Sequence, residues 1–241
     1  MKEQLSFEKI LSWFGTFTPQ LKFKLMMIKR RTSLEDFENK TKEIMSLFRS
    51  YLSLLERQSP GAERARWLFR QMDLEIASMK GQKFSCGEGC SACCRVFPKQ
   101  ITDDEADLLI EEIANGAPVD LVELNRQYQA MKSSEPSARQ SLGGAKCVFL
   151  DDKNGSCQVY TSRPAVCRKY NVVSPSEECS KADGQVVPHI ELTLELLTSA
   201  ALSVSNNKFD FMPIKLGERL EAISEKGAPQ ESSLENPISH A

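Results

Sequence analysis

The chain has 241 residues, of which 41% are hydrophobic and 27% charged, an ordinary balance for a globular protein. It is long enough for one sizeable domain or two small ones and can bury a core without the disulfide staples of small secreted domains. The net charge of −2 argues against nucleic acid as a bulk electrostatic partner.

In chain order, Leu5 to Phe14 reads as a short apolar helix ending near Gly15 and Pro19. "LKFKLMMIKRR", Leu21 to Arg31, follows and mixes apolar with cationic residues. It lies within residues 1–80, which carry 15 Lys/Arg against 10 Asp/Glu. The segment reads either as a solvated helix or loop, or as a surface for an acidic protein partner or anionic membrane. Ser33 reads as an N-cap, with Glu35 and Asp36 in the first turn. Apolar residues at helical spacing from Phe37 to Leu55 predict one long amphipathic helix over about 34–58. Pro60-Gly61 breaks it. Ala65, Leu68, Met72, Ile76 and Met79 define a second helix, closed by Gly81. The Met and aromatic stripes of both helices are core positions.

Thr102 and Glu105 stand at capping-box spacing, before a helix with Ala106, Leu109, Ile110 and Ile113 on its buried face. Asn115-Gly116 ends it. A further helix spans about 119–132, and Ser133–Gly144 reads as a loop. Asn154-Gly155 divides two β-prone runs between Cys147 and Tyr160 and predicts a tight hairpin, with Cys147 and Cys157 on neighbouring antiparallel strands. Pro164 opens a short helix containing Cys167, and Cys179 lies in a loop after Pro175. The stretch from His189 to Val204 is helical in pattern, and the residues past Gly227 read as a tail. The predicted fold is therefore mainly α with a small β-hairpin: a helical segment 1–80, a cysteine-bearing domain 81–190, a helical segment 191–226 and a tail 227–241.

No secretory n-region and cleavage site are visible at the start, and no run approaches the ~20 apolar residues that would cross a bilayer. A cytoplasmic location is expected. Thiols there stay reduced, so a dense cysteine pattern points to metal binding or catalysis rather than to disulfides.

All eight cysteines lie between positions 86 and 179. Cysteines used as small core hydrophobes would be scattered over every helix; their confinement points to thiolates gathered around a cation. Cys86, Cys90 and Cys93 can converge on one ion, with Gly87 and Gly89 favouring a loop. Cys94 is expected to turn elsewhere, toward a second ligand set or into the core. Cys147, Cys157, Cys167 and Cys179 can complete the same site or form another. Eight thiolates suffice for two four-thiolate zinc sites, or for one iron–sulfur cluster with ligands to spare. The spacing matches neither the paired CxxC knuckles of a zinc ribbon nor the ferredoxin run. Histidine ligation is nearly excluded, because only His189 and His240 are present. Four thiolates around Zn²⁺ leave a local charge of −2, which nearby cations would offset; Arg95, Arg163 and Arg168 stand beside the cysteines in sequence.

"FSCGEGCSACCR", then "ITDDEAD", then "CVFLDDKNGSCQVYTSRPAVCRKY" and a final Cys179 resemble the bacterial cysteine-cluster family described as zinc- or iron-chelating domains. The match covers roughly 84–180, and flagellin lysine methylases resemble the same domain. The resemblance implies Cys86, Cys90, Cys93, Cys94, Cys147, Cys157, Cys167 and Cys179 as metal ligands, with zinc, iron or an iron–sulfur cluster as cofactor. Three functional classes follow. The first is a metal-binding protein with a closed thiolate site. The second is an iron–sulfur enzyme, an oxidoreductase or protein-lysine N-methyltransferase, although no Gly-rich strand-to-helix turn for a nucleotide-like cofactor is visible. The third is a thiol redox sensor using Cys94 or Cys179, for which no histidine base is placed.

Overall fold

The structure is a computed structural model, and it describes residues 19–79, 81–96, 98–181, 183–206 and 208–227. The helix expected at Leu5–Phe14, the tail beyond 227 and His240 lie outside the described residues. The architecture is mainly α with a small hairpin. The helices are α1 (Pro19–Arg31), α2 (Leu34–Glu56), α3 (Ala62–Ser78), α4 (Asp103–Ala114), α5 (Leu121–Lys132), the short α6 (Pro136–Gln140) and α7 (Ala165–Lys169), α8 (Leu192–Val204) and α9 (Met212–Gly227). Two pairs of short antiparallel strands join distant segments. β1 (Gln100–Thr102) pairs with β4 (Phe209–Phe211), and β2 (Asn171–Val172) with β3 (Pro188–His189).

Local chemistry sets the helix ends. The Asp36 N–H donates to the Ser33 side chain at the start of α2, satisfying one of the donors that a helix N-terminus leaves without a partner. At α4 the capping box forms in full: the Glu105 N–H donates to Thr102 Oγ1, and the Thr102 N–H donates back to the Glu105 carboxylate. Glu105 also accepts the Ala165 N–H at 2.8 Å, so one buried carboxylate ties α4 to α7. Asp104 does the same for the α2–α3 turn, accepting the Gly61 N–H at 2.6 Å and pairing with Arg64 at 3.2 Å.

Two larger apolar cores result, with a small third cluster of Ala130, Leu142 and Ala145 among the described residues. In the first, Leu21 and Leu25 of α1, Phe48 and Leu55 of α2, and Leu68 and Met72 of α3 pack with α8. The stripes of α2 and α3 are core, as their spacing predicts. In the second, Ile101, Leu109, Leu124, Phe149, Val159 and Leu216 pack together, with Cys147 and Cys157 at its edge.

Leu21–Arg31 is a helix, one of the two forms its pattern allows, bearing five cations and no acid. Two local expectations are revised. The 133–144 loop contains α6. The hairpin at 147–160 closes through a single bridge, Leu150 to Cys157, and Cys147 lies in the turn before it instead of on a paired strand. The turn is not the two-residue kind, because Gly155 has φ +73° but Asn154 is not left-handed. Instead the Gly155 N–H donates to the Asp151 carbonyl, and the side chain of Asn154 accepts the Ser156 N–H at 2.8 Å. Asn154 here uses its side chain to shape a wider turn.

Candidate metal centre

Four chain segments deliver the cysteines. The loop of Cys86 and Cys90 is anchored to β2 at both backbone and sulfur: the Ser85 N–H donates to the Val172 carbonyl at 3.0 Å, and the Val172 N–H donates to Cys86 Sγ at 3.3 Å. Gly89, at φ +84°, lets the loop reverse. A 3₁₀ turn over Ala92–Arg95 then presents Cys93 and Cys94. Its Cys94 carbonyl accepts the Cys147 N–H at 2.7 Å, which draws the second segment in. The turn at 151–155 returns Cys157. Its tip packs so closely on the first loop that a Cβ on Gly155 would stand 3.0 Å from the Gly89 carbonyl. Pro164 opens α7, and its carbonyl accepts the N–H of Cys167 at 2.9 Å, as expected for a proline at a helix start. Cys179 sits on a 3₁₀ turn, Ser176–Ser180, packed against the turn of Cys93 and Cys94.

The result is one small cavity of about 70 Å³, lined by Cys86, Cys90, Cys93, Cys94, Cys147, Cys157 and Cys167. Every cysteine of the chain is a free thiol. A water molecule needs roughly 10–15 Å³ on the same measure, so the space is several times what one small ion requires. Among the described residues no three His, Cys, Asp or Glu side chains already stand at ligating spacing around one point. What the fold supplies is a donor set of sulfur alone, converging on one space. That chemistry fits zinc or iron better than a hard, oxygen-seeking cation.

Cys93 is the electrostatic centre. The Cys94 thiol beside it, together with the positive charge of Lys99 and Arg163, outweighs burial and holds Cys93 below the ordinary thiol value, which favours the thiolate, the form that ligates metals. Its donor Cys94 is pushed up in consequence. Burial pushes Cys147 up to about 11 and raises Cys86, Cys157 and Cys167 as well. Two neighbourhoods meet at Cys93: Cys86, Cys90 and Cys179 interact on one side, and Cys147, Cys157 and Cys167 on the other, with Cys94 facing the latter.

Cys94 lines the same cavity as Cys93 and does not turn elsewhere: the Cys147 segment, bonded to the Cys94 carbonyl, brings the cavity wall to its side of the turn. Cys179 does not line the cavity; it stands beside it, close enough to interact with Cys90 and Cys93. Arg163 lines the cavity and lies over the Tyr160 ring at 4.3 Å. Arg168, only 2% exposed, spends its guanidinium on Asp73 and on the Thr161 and Arg163 carbonyls, above the Phe69 ring. Arg95 pairs with Asp152 at the surface. His189 stacks on Phe84 and stands 3.5 Å from Glu191, away from the cavity lining. The cation that sequence reasoning missed is Lys99, which lines the cavity. Nothing local marks it. It is positioned by β1, whose pairing with β4 and the 2.7 Å bond from the Met212 N–H to the Lys99 carbonyl are long-range features.

No helix among the described residues is long and apolar enough to cross a membrane. No curated protein and no solved structure matches the chain. Residues 85–189, which carry all eight cysteines, match the family model CxxCxxCC, "Putative zinc- or iron-chelating domain".

Proposed function

We propose that this protein chelates zinc or iron through thiolates gathered around Cys93. The observation that carries the reading is the convergence of seven cysteines, Cys86 to Cys167 in sequence, on one cavity with Lys99 and Arg163 in its wall. A scattered set of core cysteines would have neither a common space nor a cationic wall. Lys99 and Arg163 offset the charge that thiolate ligands leave on the centre. The buried thiols that stand above their ordinary values would lose their protons to an incoming cation, so loading is expected to release acid. All eight cysteines remain candidate ligands, the two neighbourhoods meeting at Cys93 each offering about a tetrahedral shell's worth of sulfur.

A second reading is favoured by the number of thiols: more line the cavity than one closed four-thiolate ion uses. They would suit an iron–sulfur cluster with sulfurs to spare. An oxidoreductase or a protein-lysine methylase would be its enzymatic forms. Metal and sulfide analysis of protein purified without oxygen separates the readings. Stoichiometric zinc in a colourless sample supports a closed zinc site. Iron with acid-labile sulfide and visible charge-transfer absorption supports the cluster. Protein that takes up neither metal after anaerobic reconstitution refutes both.

A further inference from the structure

A second cavity, about 380 Å³ in volume, adjoins the thiol cavity, and Lys99 and Tyr170 belong to the walls of both. Small-molecule sites occupy roughly 300–1,000 Å³ and are mostly apolar with a few placed polar groups. This cavity has that character. Leu68, Ile101, Leu202 and Phe209 supply apolar wall. Phe209 is 39% exposed and Tyr170 49% exposed, so the two aromatic rings mark where the cavity opens to solvent.

The acidic and basic groups on its wall are Glu105, Lys169 and Lys99, beside the Tyr170 phenol at the mouth. Two are already committed. Glu105 accepts the Thr102 N–H and hydroxyl and the Ala165 N–H. Lys169 is paired with Glu195 at 2.8 Å, both side chains almost wholly buried. Lys99 differs: among the described residues its ammonium has no carboxylate partner and no side-chain hydrogen bond, and the charges it faces are the thiols. A partly buried ammonium with three donors and an apolar cavity at its side favours an anion there, since burial strengthens the pairing.

We propose that this cavity binds a small anionic amphiphile, a carboxylate on an aliphatic or aromatic body, with the head group on Lys99 and the body among Leu68, Ile101, Leu202 and Phe209. With one uncommitted ammonium in the wall, a singly charged carboxylate is matched in charge, whereas a dianionic phosphate would be left partly uncompensated. The ligand's head would then lie at the wall of the thiol centre. The proposal does not rest on metal binding, because the cavity and Lys99 stand whether or not the thiols hold an ion.

The test is calorimetric titration of the full chain with decanoate, decanol and decyltrimethylammonium at submicellar concentration. One decanoate should bind per chain, with decanol weaker by about tenfold or more, as expected for loss of a charge-assisted bond, and no binding of the cation. Lys99→Gln should weaken decanoate by a similar factor and leave decanol unchanged; Leu202→Trp should weaken both by filling the cavity. Circular dichroism establishes that each variant is folded, and Lys99→Gln decides the matter if Leu202→Trp is not. Decanol binding as tightly as decanoate, absence of decanoate binding, or Lys99→Gln binding decanoate like the parent protein would each overturn the proposal.

Discussion

Gly155 joins the two halves of the cysteine cluster, and replacing it by alanine isolates what that junction contributes. Two costs arise. The first is conformational: Gly155 holds φ +73°, and a residue with a Cβ loses about 1–2 kcal/mol in that region. The second is steric. The new Cβ would stand 3.0 Å from the Gly89 carbonyl and 3.3 Å from Ser91 Oγ. The serine side chain can rotate, but the carbonyl belongs to the loop that carries Cys86 and Cys90, so that loop must shift. Overpacking of this kind costs about 1–3 kcal/mol. Gly144 supplies the control: its φ is +77°, and a Cβ there would meet nothing within 4 Å. Gly144→Ala should therefore lose about 1–2 kcal/mol, and Gly155→Ala about 2–5 kcal/mol from the two terms together. Urea unfolding of both variants reads the difference, and competition with a chromogenic chelator reads whether Gly155→Ala also weakens the hold on metal. Equal destabilisation by the two substitutions, with metal affinity unchanged, would refute the idea that this contact locks the cysteine loops together.

Arg168→Ala should cost about 3 kcal/mol, because it removes donors to two carbonyls and the packing over Phe69. Asp73→Asn should cost at most about 1 kcal/mol, since Asp73 is half exposed; thermal melts giving equal losses would mean that the ion pair, not the carbonyl contacts, holds α7 to α3. Asp103 carries the acid sensitivity of the α4–α9 contact. Burial alone would raise it, but Lys215 and Arg219 outweigh burial and hold it below the ordinary carboxylate value. Its contribution is therefore present above the unfolded pKa of ~3.9 and lost as pH falls through the folded value. The stability gap between parent and Asp103→Asn should be constant near neutrality and shrink below about pH 4; a gap that does not change with pH in urea titrations would contradict this. Cys93→Ser should release most of the bound metal, whereas Cys179→Ser, outside the cavity lining, should retain more of it. Equal loss in metal analysis would put Cys179 in the ligand shell.

Much of the helical framework is legible in the chain because its causes are local. Ser33 and the Thr102–Glu105 pair cap helices through atoms three residues away, and the apolar spacing of α2 and α3 fixes which face is buried whatever it meets. The clustering of cysteines is legible for a different reason: thiols confined to one stretch are hard to explain as packing. The hairpin illustrates where local reading fails. Asn154-Gly155 marks a turn correctly, but the turn's width is set by Asn154 bonding the Ser156 N–H and by the Gly89 carbonyl pressing on Gly155, a residue sixty-six positions away. Likewise, adjacency in sequence nominated Arg95 as a counter-charge, yet the fold turns it to Asp152 and brings Lys99 in its place.

The sequence by itself determined that there is a mainly helical protein with its cysteines confined to one stretch, because helix caps, helical spacing and cysteine content are properties of short stretches of chain. Only the tertiary structure decided that the cysteines share one cavity, that Cys94 lines it with Cys93 and that Lys99 stands between that cavity and a second one. Those outcomes depend on bonds between segments far apart, such as Cys147 to Cys94 and Met212 to Lys99, and no local pattern specifies the partner of a backbone N–H across such distances.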